Sequence, residues 1–200
     1  MTITAFNGDR YVASEFLRIK KEFDIRTVVE TGTFQGETTR FFAEHFYKTI
    51  SIEVDPGQFA STKMRLSDLG CTADLYFGNS AEYLNLLIPQ RGIGDDTIFF
   101  LDAHWGSHCP LLDELRAISK YRLRPVIVIH DMKEPSGKLG FDTYNGQDLD
   151  LKWVLPSLQD IYGAEGYRHW FNNPDTAEGA RRGVLYVVPK IFHPILKCWT

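Results

Sequence analysis

The chain of 200 residues contains only three cysteines, Cys71, Cys109 and Cys198, and no C-x-x-C pair. An odd count without that spacing excludes a disulfide framework or a zinc ribbon and reads as reduced thiols of a cytoplasmic protein. Nowhere do 18 apolar residues run together, and the opening MTITAFNGDRYVASEF lacks a basic stretch followed by an apolar one. Neither a membrane span nor a signal peptide is therefore expected. Positive charge is not in excess either: 22 Lys+Arg stand against 26 Asp+Glu, a formal net charge of −4, with no Lys/Arg cluster. Phosphate contacts need such a footprint, so a nucleic-acid or anionic-membrane partner is not expected, and a small-molecule substrate is. No period of 20–50 residues repeats, and no low-complexity tract interrupts the chain.

What is present fits one ordinary domain spanning 1–200. With 44% hydrophobic and 14% aromatic residues the chain can fill a single large core. Seven short, β-rich apolar runs alternate with longer amphipathic stretches: 27–31, 49–54, 73–77, 97–102, 125–130, 167–171 and 183–188. That alternation indicates βαβ units and an α/β fold with a mostly parallel sheet covered on both faces. Helical length and spacing fall at 36–46, 57–69, 81–87, 110–120 and 151–161, with Pro110 as an opening helical residue, and an N-terminal helical segment within 1–24 precedes the first strand. One long polar connection remains, 132–150, carrying Phe141, Tyr144 and Asn145. Without secondary structure of its own, a stretch of that length reads as an active-site lid or binding loop.

In open α/β sheets ligands bind beyond the carboxyl ends of the strands, so the residues just after each strand carry the chemistry. After the first strand comes Glu30-Thr31-Gly32-Thr33-Phe34-Gln35-Gly36-Glu37-Thr38, two glycines four apart leading into a helix. Glycines there let the backbone turn tightly beside a ligand, and a helix start offers free N–H groups. The loop matches neither G-x-G-x-x-G nor the phosphate-binding G-x-x-x-x-G-K-[ST] pattern, which argues against NAD and ATP. Glu53 closes the second strand about 20 residues on, where a carboxylate can accept two bonds from a ribose diol. Gly78-Asn79-Ser80 follows the third strand and either caps the next helix or offers Ser80 to a base. Asp102 and His104 follow the fourth strand, and His130 and Asp131 end the fifth. Such a cluster is costly on an apolar sheet unless it binds a metal, shares protons or does chemistry.

Taken together these residues resemble the class I S-adenosylmethionine-dependent methyltransferases, most closely their small metal-dependent O-methyltransferases such as catechol O-methyltransferase. The resemblance covers roughly 28–131 and extends to the last two strands. It implies a Rossmann-like sheet of seven strands with the last antiparallel. It also implies that Glu30, Gly32, Thr33, Phe34, Gly36 and Thr38 wrap the methionine part of the cofactor. By the same resemblance Glu53 holds the ribose, Val54 and Ser80 flank the adenine, and Asp102 faces both cofactor and acceptor.

The family's Mg²⁺ site carries over in part, to Asp102, His130 and Asp131. His130 stands where the family has a carboxylate, so Mn²⁺, Zn²⁺ or Fe²⁺ suits the set better than Mg²⁺, or there is no metal. The family's usual Lys base is replaced by Trp105, which leaves His104 or His130 to take a proton beside Asp102. The expected activity is methyl transfer to a hydroxyl of a small molecule or sugar. Two other readings stay open: a metal-dependent hydrolase built on the Asp/His cluster, and a cofactor-binding module without transfer activity. Relatives often pair, so a homodimer is compatible with the resemblance.

Overall fold

Strands and helices alternate through residues 4–190, the part of the chain that the computed structural model describes; Cys198 lies outside it. Seven strands form one sheet: β1 (Thr27–Thr31), β2 (Lys48–Glu53), β3 (Asp74–Phe77), β4 (Thr97–Leu101), β5 (Val126–Ile129), β8 (Tyr167–Phe171) and β9 (Leu185–Pro189). Their spatial order is β3-β2-β1-β4-β5-β9-β8. The first five run parallel, and β9 is antiparallel to both β5 and β8. The α/β architecture expected from the alternation is the observed one, with strand limits moved by one or two residues.

Two helical layers cover the sheet because successive strand residues point to opposite faces. Val29, Phe99, Ile127 and Leu185 enter one core with Leu84, Leu115 and Leu158, which come from α4 (Ser80–Gln90), α5 (Leu111–Ser119) and α6 (Leu151–Tyr162). Val28, Phe100, Val128 and Tyr186 enter the other with Phe16 and Phe42, from α1 (Arg10–Glu22) and α2 (Glu37–His45). The helix starts are set by local chemistry. Asp9 accepts from the Tyr11 and Val12 N–H groups to start α1, and Asn79 from those of Ala81 and Glu82 to start α4. Asp55 caps α3 (Pro56–Asp68), with Pro56 in the first turn. Pro110, with helical backbone angles, leads into α5 as expected, and its carbonyl accepts from the Glu114 N–H.

The 132–150 connection differs from the expected stretch without secondary structure: it carries a small hairpin, β6 (Thr143–Tyr144) with β7 (Gln147–Asp148). Its first half is organised by the buried Glu134 carboxylate, which accepts from the N–H groups of Ser136, Lys138 and Leu139. Backbone groups pay for their own burial only when paired, and here one acid pairs three of them. A short 3₁₀ turn, Ala5–Gly8, precedes α1 and lies against α2. Among the described residues no helix is long and apolar enough to cross a membrane.

Candidate active site

The direction of strand succession reverses between β1 and β4, and the residues leaving these two strands meet there. Gly32 lies so close to Asp102 that a Cβ on it would stand 2.8 Å from the Asp102 carbonyl oxygen, and its φ of +84° is unfavourable for any other residue. A cavity of about 480 Å³ opens at this crevice, within the range of small-molecule sites. Gly32, Phe34, Glu53, Val54, Ser80 and Asp102 all border it.

Glu53 is 7% exposed, with each carboxylate oxygen fixed by a backbone donor: Phe34 N–H at 2.8 Å and Asp55 N–H at 2.9 Å. Each oxygen keeps a further lone pair for a ligand donor. The Ser80 hydroxyl is buried without a hydrogen-bond partner, an orphan that a bound base would satisfy. These features fit an adenosine group.

The remaining loop residues lie beside it. Glu30, Thr33, Gly36 and Thr38 border a smaller neighbouring cavity of about 50 Å³, which Gly32, Phe34, Asp102 and His130 share. Glu30 accepts from the Thr39 hydroxyl at 2.5 Å and the Ser51 hydroxyl at 2.6 Å, and Ser51 also bonds Thr33. Burial pushes Glu30 up to about 8, against the lowering effect of those hydroxyls. Thr38 is engaged by the Phe6 N–H at 3.1 Å. Gly36, at φ +74°, lets α2 start against α3: a Cβ there would stand 2.7 Å from Thr62 Cγ2.

Across the crevice charge dominates. His130 Nδ1 lies 3.0 Å from Asp102 Oδ1 and 3.1 Å from Asp131 Oδ1, yet neither contact has hydrogen-bond geometry. Burial disfavours a charge on His130, but the two carboxylates outweigh it and hold the imidazole well above its ordinary pKa. Burial raises Asp102, with His130 opposing. For Asp131 burial is overcome by His130 and Arg182, and the carboxyl lies well below its usual range.

Nothing in the sequence pattern pointed to Arg182, whose Nε donates to Asp131 at 2.5 Å while Nη2 donates to Asp142. It lies 51 residues from Asp131 and reaches it only because β9 pairs with β5. Tyr144 donates to Asp142 at 2.9 Å, and the His104 ring lies 6.2 Å from that of Tyr144. Of the three residues expected to cover an acceptor, Tyr144 borders a cavity of about 20 Å³ beside this cluster, whereas Phe141 packs against Lys133. Glu114, fully buried under α5's first turn, borders the same small cavity, and burial pushes it up to about 7. The Cys109 thiol is pushed up to about 11 by burial, which leaves it inert as a nucleophile.

Among the described residues, two groups of side chains have donor atoms within 4.8 Å of one another: Asp102, His130 and Asp131, and His104, Asp131 and Asp142. The 3.0 and 3.1 Å separations in the first are those of adjacent ligands around one ion with bonds of about 2.1 Å. The unpartnered Nδ1 is the kind of atom such an ion would satisfy.

No protein-family model matches this sequence, and no curated protein matches it. Solved structures do. The O-methyltransferase TomG from Streptomyces achromogenes, involved in tomaymycin synthesis and solved with SAM, superposes with a TM-score of 0.62 at 14% identity, over 90% of this chain and 79% of that one. An O-methyltransferase from Bacillus cereus in complex with SAH gives 0.61 at 14% identity, over 90% and 81%. An rRNA methylase from Streptococcus thermophilus gives 0.57 at 18% identity, over 90% and 96%. The chain therefore has the Rossmann-like fold that these methyltransferase structures share.

Proposed function

We propose that this protein is an S-adenosylmethionine-dependent methyltransferase acting on a hydroxyl of a small molecule or sugar. The observation that carries the reading is the convergence of Gly32, Glu53, the orphaned Ser80 hydroxyl and Asp102 on one cavity at the sheet's reversal point. Gly32 and Phe34 border the methionine side, Glu53 has lone pairs for the ribose hydroxyls, and Val54 and Ser80 flank the base. Bound there, the cofactor supplies a methyl group already activated by its sulfonium.

The chain's own task is alignment and removal of one proton. His104 is exposed at the edge of both cavities and is the accessible imidazole to accept it. His130 is buried between two carboxylates and is less accessible to an acceptor than His104. Asp102 and Asp131 face the acceptor side, and the 132–150 loop with Tyr144 forms its wall.

Asp102, His130 and Asp131 would hold a divalent ion, and their mixed oxygen and nitrogen donors suit Mn²⁺, Zn²⁺ or Fe²⁺ better than Mg²⁺. Such an ion would polarise the acceptor oxygen. Cys71 and Cys109 are free thiols, which suits a cytoplasmic location.

The test is calorimetric titration of metal-stripped protein with S-adenosylmethionine and S-adenosylhomocysteine, repeated with Mg²⁺, Mn²⁺ and Zn²⁺. Saturable micromolar binding that weakens in Glu53→Ala supports the assignment. No binding under any condition would sink it and favour the hydrolase. Asp102→Asn separates an enzyme from a binding module: the first loses turnover, the second has none to lose.

A further inference from the structure

Phe6 and Asn7 are the one place among the described residues where two successive non-glycine residues have left-handed backbone angles, φ 53° at each, and Gly8 follows at φ 89°. Asn adopts this conformation readily, but Phe does so only when its surroundings impose it. Here the packing and hydrogen bonds of the turn do. The Phe6 ring is buried among Phe16, Phe42 and Phe100, and its N–H donates to Thr38 at the start of α2. The Asn7 carbonyl accepts from the Ala180 N–H at 3.2 Å. Gly179 allows that approach, since a Cβ there would lie 2.0 Å from the Asn7 oxygen.

The turn so enforced sets Asn7 on the border of both the large cavity and the smaller one beside it. Its carboxamide has no hydrogen-bond partner among the described residues, although its backbone is engaged. The smaller cavity has complementary charges for a zwitterion. Its lining includes Gly36, Glu37 and Thr38, where α2 starts without a side-chain cap and where Glu37 is paired with Arg65, and it includes Asp102. The unpartnered Nδ1 of the buried His130 borders it as well.

We propose that Asn7 is a binding residue for the α-amino-acid end of the cofactor, its carboxamide donating to the ligand's α-carboxylate beside the start of α2. This rests on the methyltransferase reading above. The strained turn then has a role: it brings a side chain 23 positions before Glu30 to the cofactor loop without a long, mobile segment.

The experiment titrates wild type, Asn7→Gly and Asn7→Asp calorimetrically with S-adenosylhomocysteine and with 5′-methylthioadenosine, which keeps the nucleoside and sulfur but lacks the amino-acid end. Glycine and aspartate both tolerate a positive φ, so both variants should fold, and melting curves check this. For S-adenosylhomocysteine we expect about tenfold weaker binding in Asn7→Gly, the size of one lost hydrogen bond to a charged group, and a larger loss in Asn7→Asp from charge repulsion. Binding of 5′-methylthioadenosine should not change. Equal weakening of both ligands, or no weakening of S-adenosylhomocysteine, would overturn the role of Asn7 while leaving the methyltransferase reading intact. Failure of both ligands to bind the wild type would remove that reading, and this proposal with it.

Discussion

The two sides of the crevice are built in opposite ways. On the β1–β2–β3 side the cavity wall is backbone, glycine and hydroxyl, with Glu53 as a carboxylate whose partners are N–H groups. On the β4–β5–β9 side Asp102, Asp131 and Asp142 surround His130 and Arg182, an assembly of charges with the sheet's apolar core beneath it. The first side offers shape and hydrogen-bonding groups, which a short stretch of chain can encode. The second works by fields, which need charges gathered from distant segments.

The largest effect expected comes from a buried acid beneath the first side. Glu30 binds its proton more tightly in the folded state than in the unfolded chain, because burial raises it from 4.5 to about 8. Its contribution to stability is therefore fully present below about pH 4.5 and is lost as pH rises through 8. That loss is on the order of 5 kcal/mol, by the usual conversion of a shift into free energy. Glu30→Gln should flatten the decline of stability between pH 5 and 9, measured by urea denaturation across that range. An unchanged slope would mean that Glu30 ionises in the folded protein at its ordinary pKa.

A smaller effect, roughly 3 kcal/mol, is expected for Gly32→Ala, which combines an unfavourable φ with a contact at 2.8 Å to the Asp102 backbone. A fall in melting temperature together with loss of S-adenosylhomocysteine binding would tie the two sides of the crevice to this one contact. If stability is retained, the β1 and β4 ends are further apart than the comparison requires.

On the charged side, Arg182→Met leaves Asp131 and Asp142 without their shared cation. Because Arg182 keeps 26% of its side chain exposed, the expected cost is about 2 kcal/mol in denaturant unfolding rather than the larger cost of a fully buried pair. Binding of the nucleoside end should be untouched, and a marked loss of 5′-methylthioadenosine affinity would erase the distinction between the sides. The smallest effect is assigned to Glu53→Ala, a tenfold to thirtyfold weaker affinity for S-adenosylhomocysteine with a fall of about 3 °C in melting temperature, because the Phe34 and Asp55 N–H groups lose their acceptor.

How much of this was legible in the sequence follows the same division. The strands, their burial on both faces and the glycine turn after β1 are written in local patterns, and Glu53 and Ser80 could be found by looking just past each strand end. The shares of individual loop residues could not. Glu30 and Thr33 turn inward to Ser51, and Thr38 is engaged by Phe6, because side-chain direction depends on what α2 and the N-terminal turn pack against. The 132–150 connection looked like a stretch without secondary structure because Glu134's three N–H partners and the two-residue hairpin leave no periodic trace.

The sequence by itself determined the class of fold and the line of strand ends on which a site could form, since hydrophobic alternation and glycine placement act over a few residues. Only the tertiary structure decided that Arg182 neutralises Asp131 and Asp142, that His130 stands between two carboxylates, and that Asn7 reaches the cofactor loop. Each of these depends on the pairing of β9 with β5, the pairing of β4 with β5, or the packing of Phe6. Contacts of that range are set by the whole core at once, and no local spacing records them.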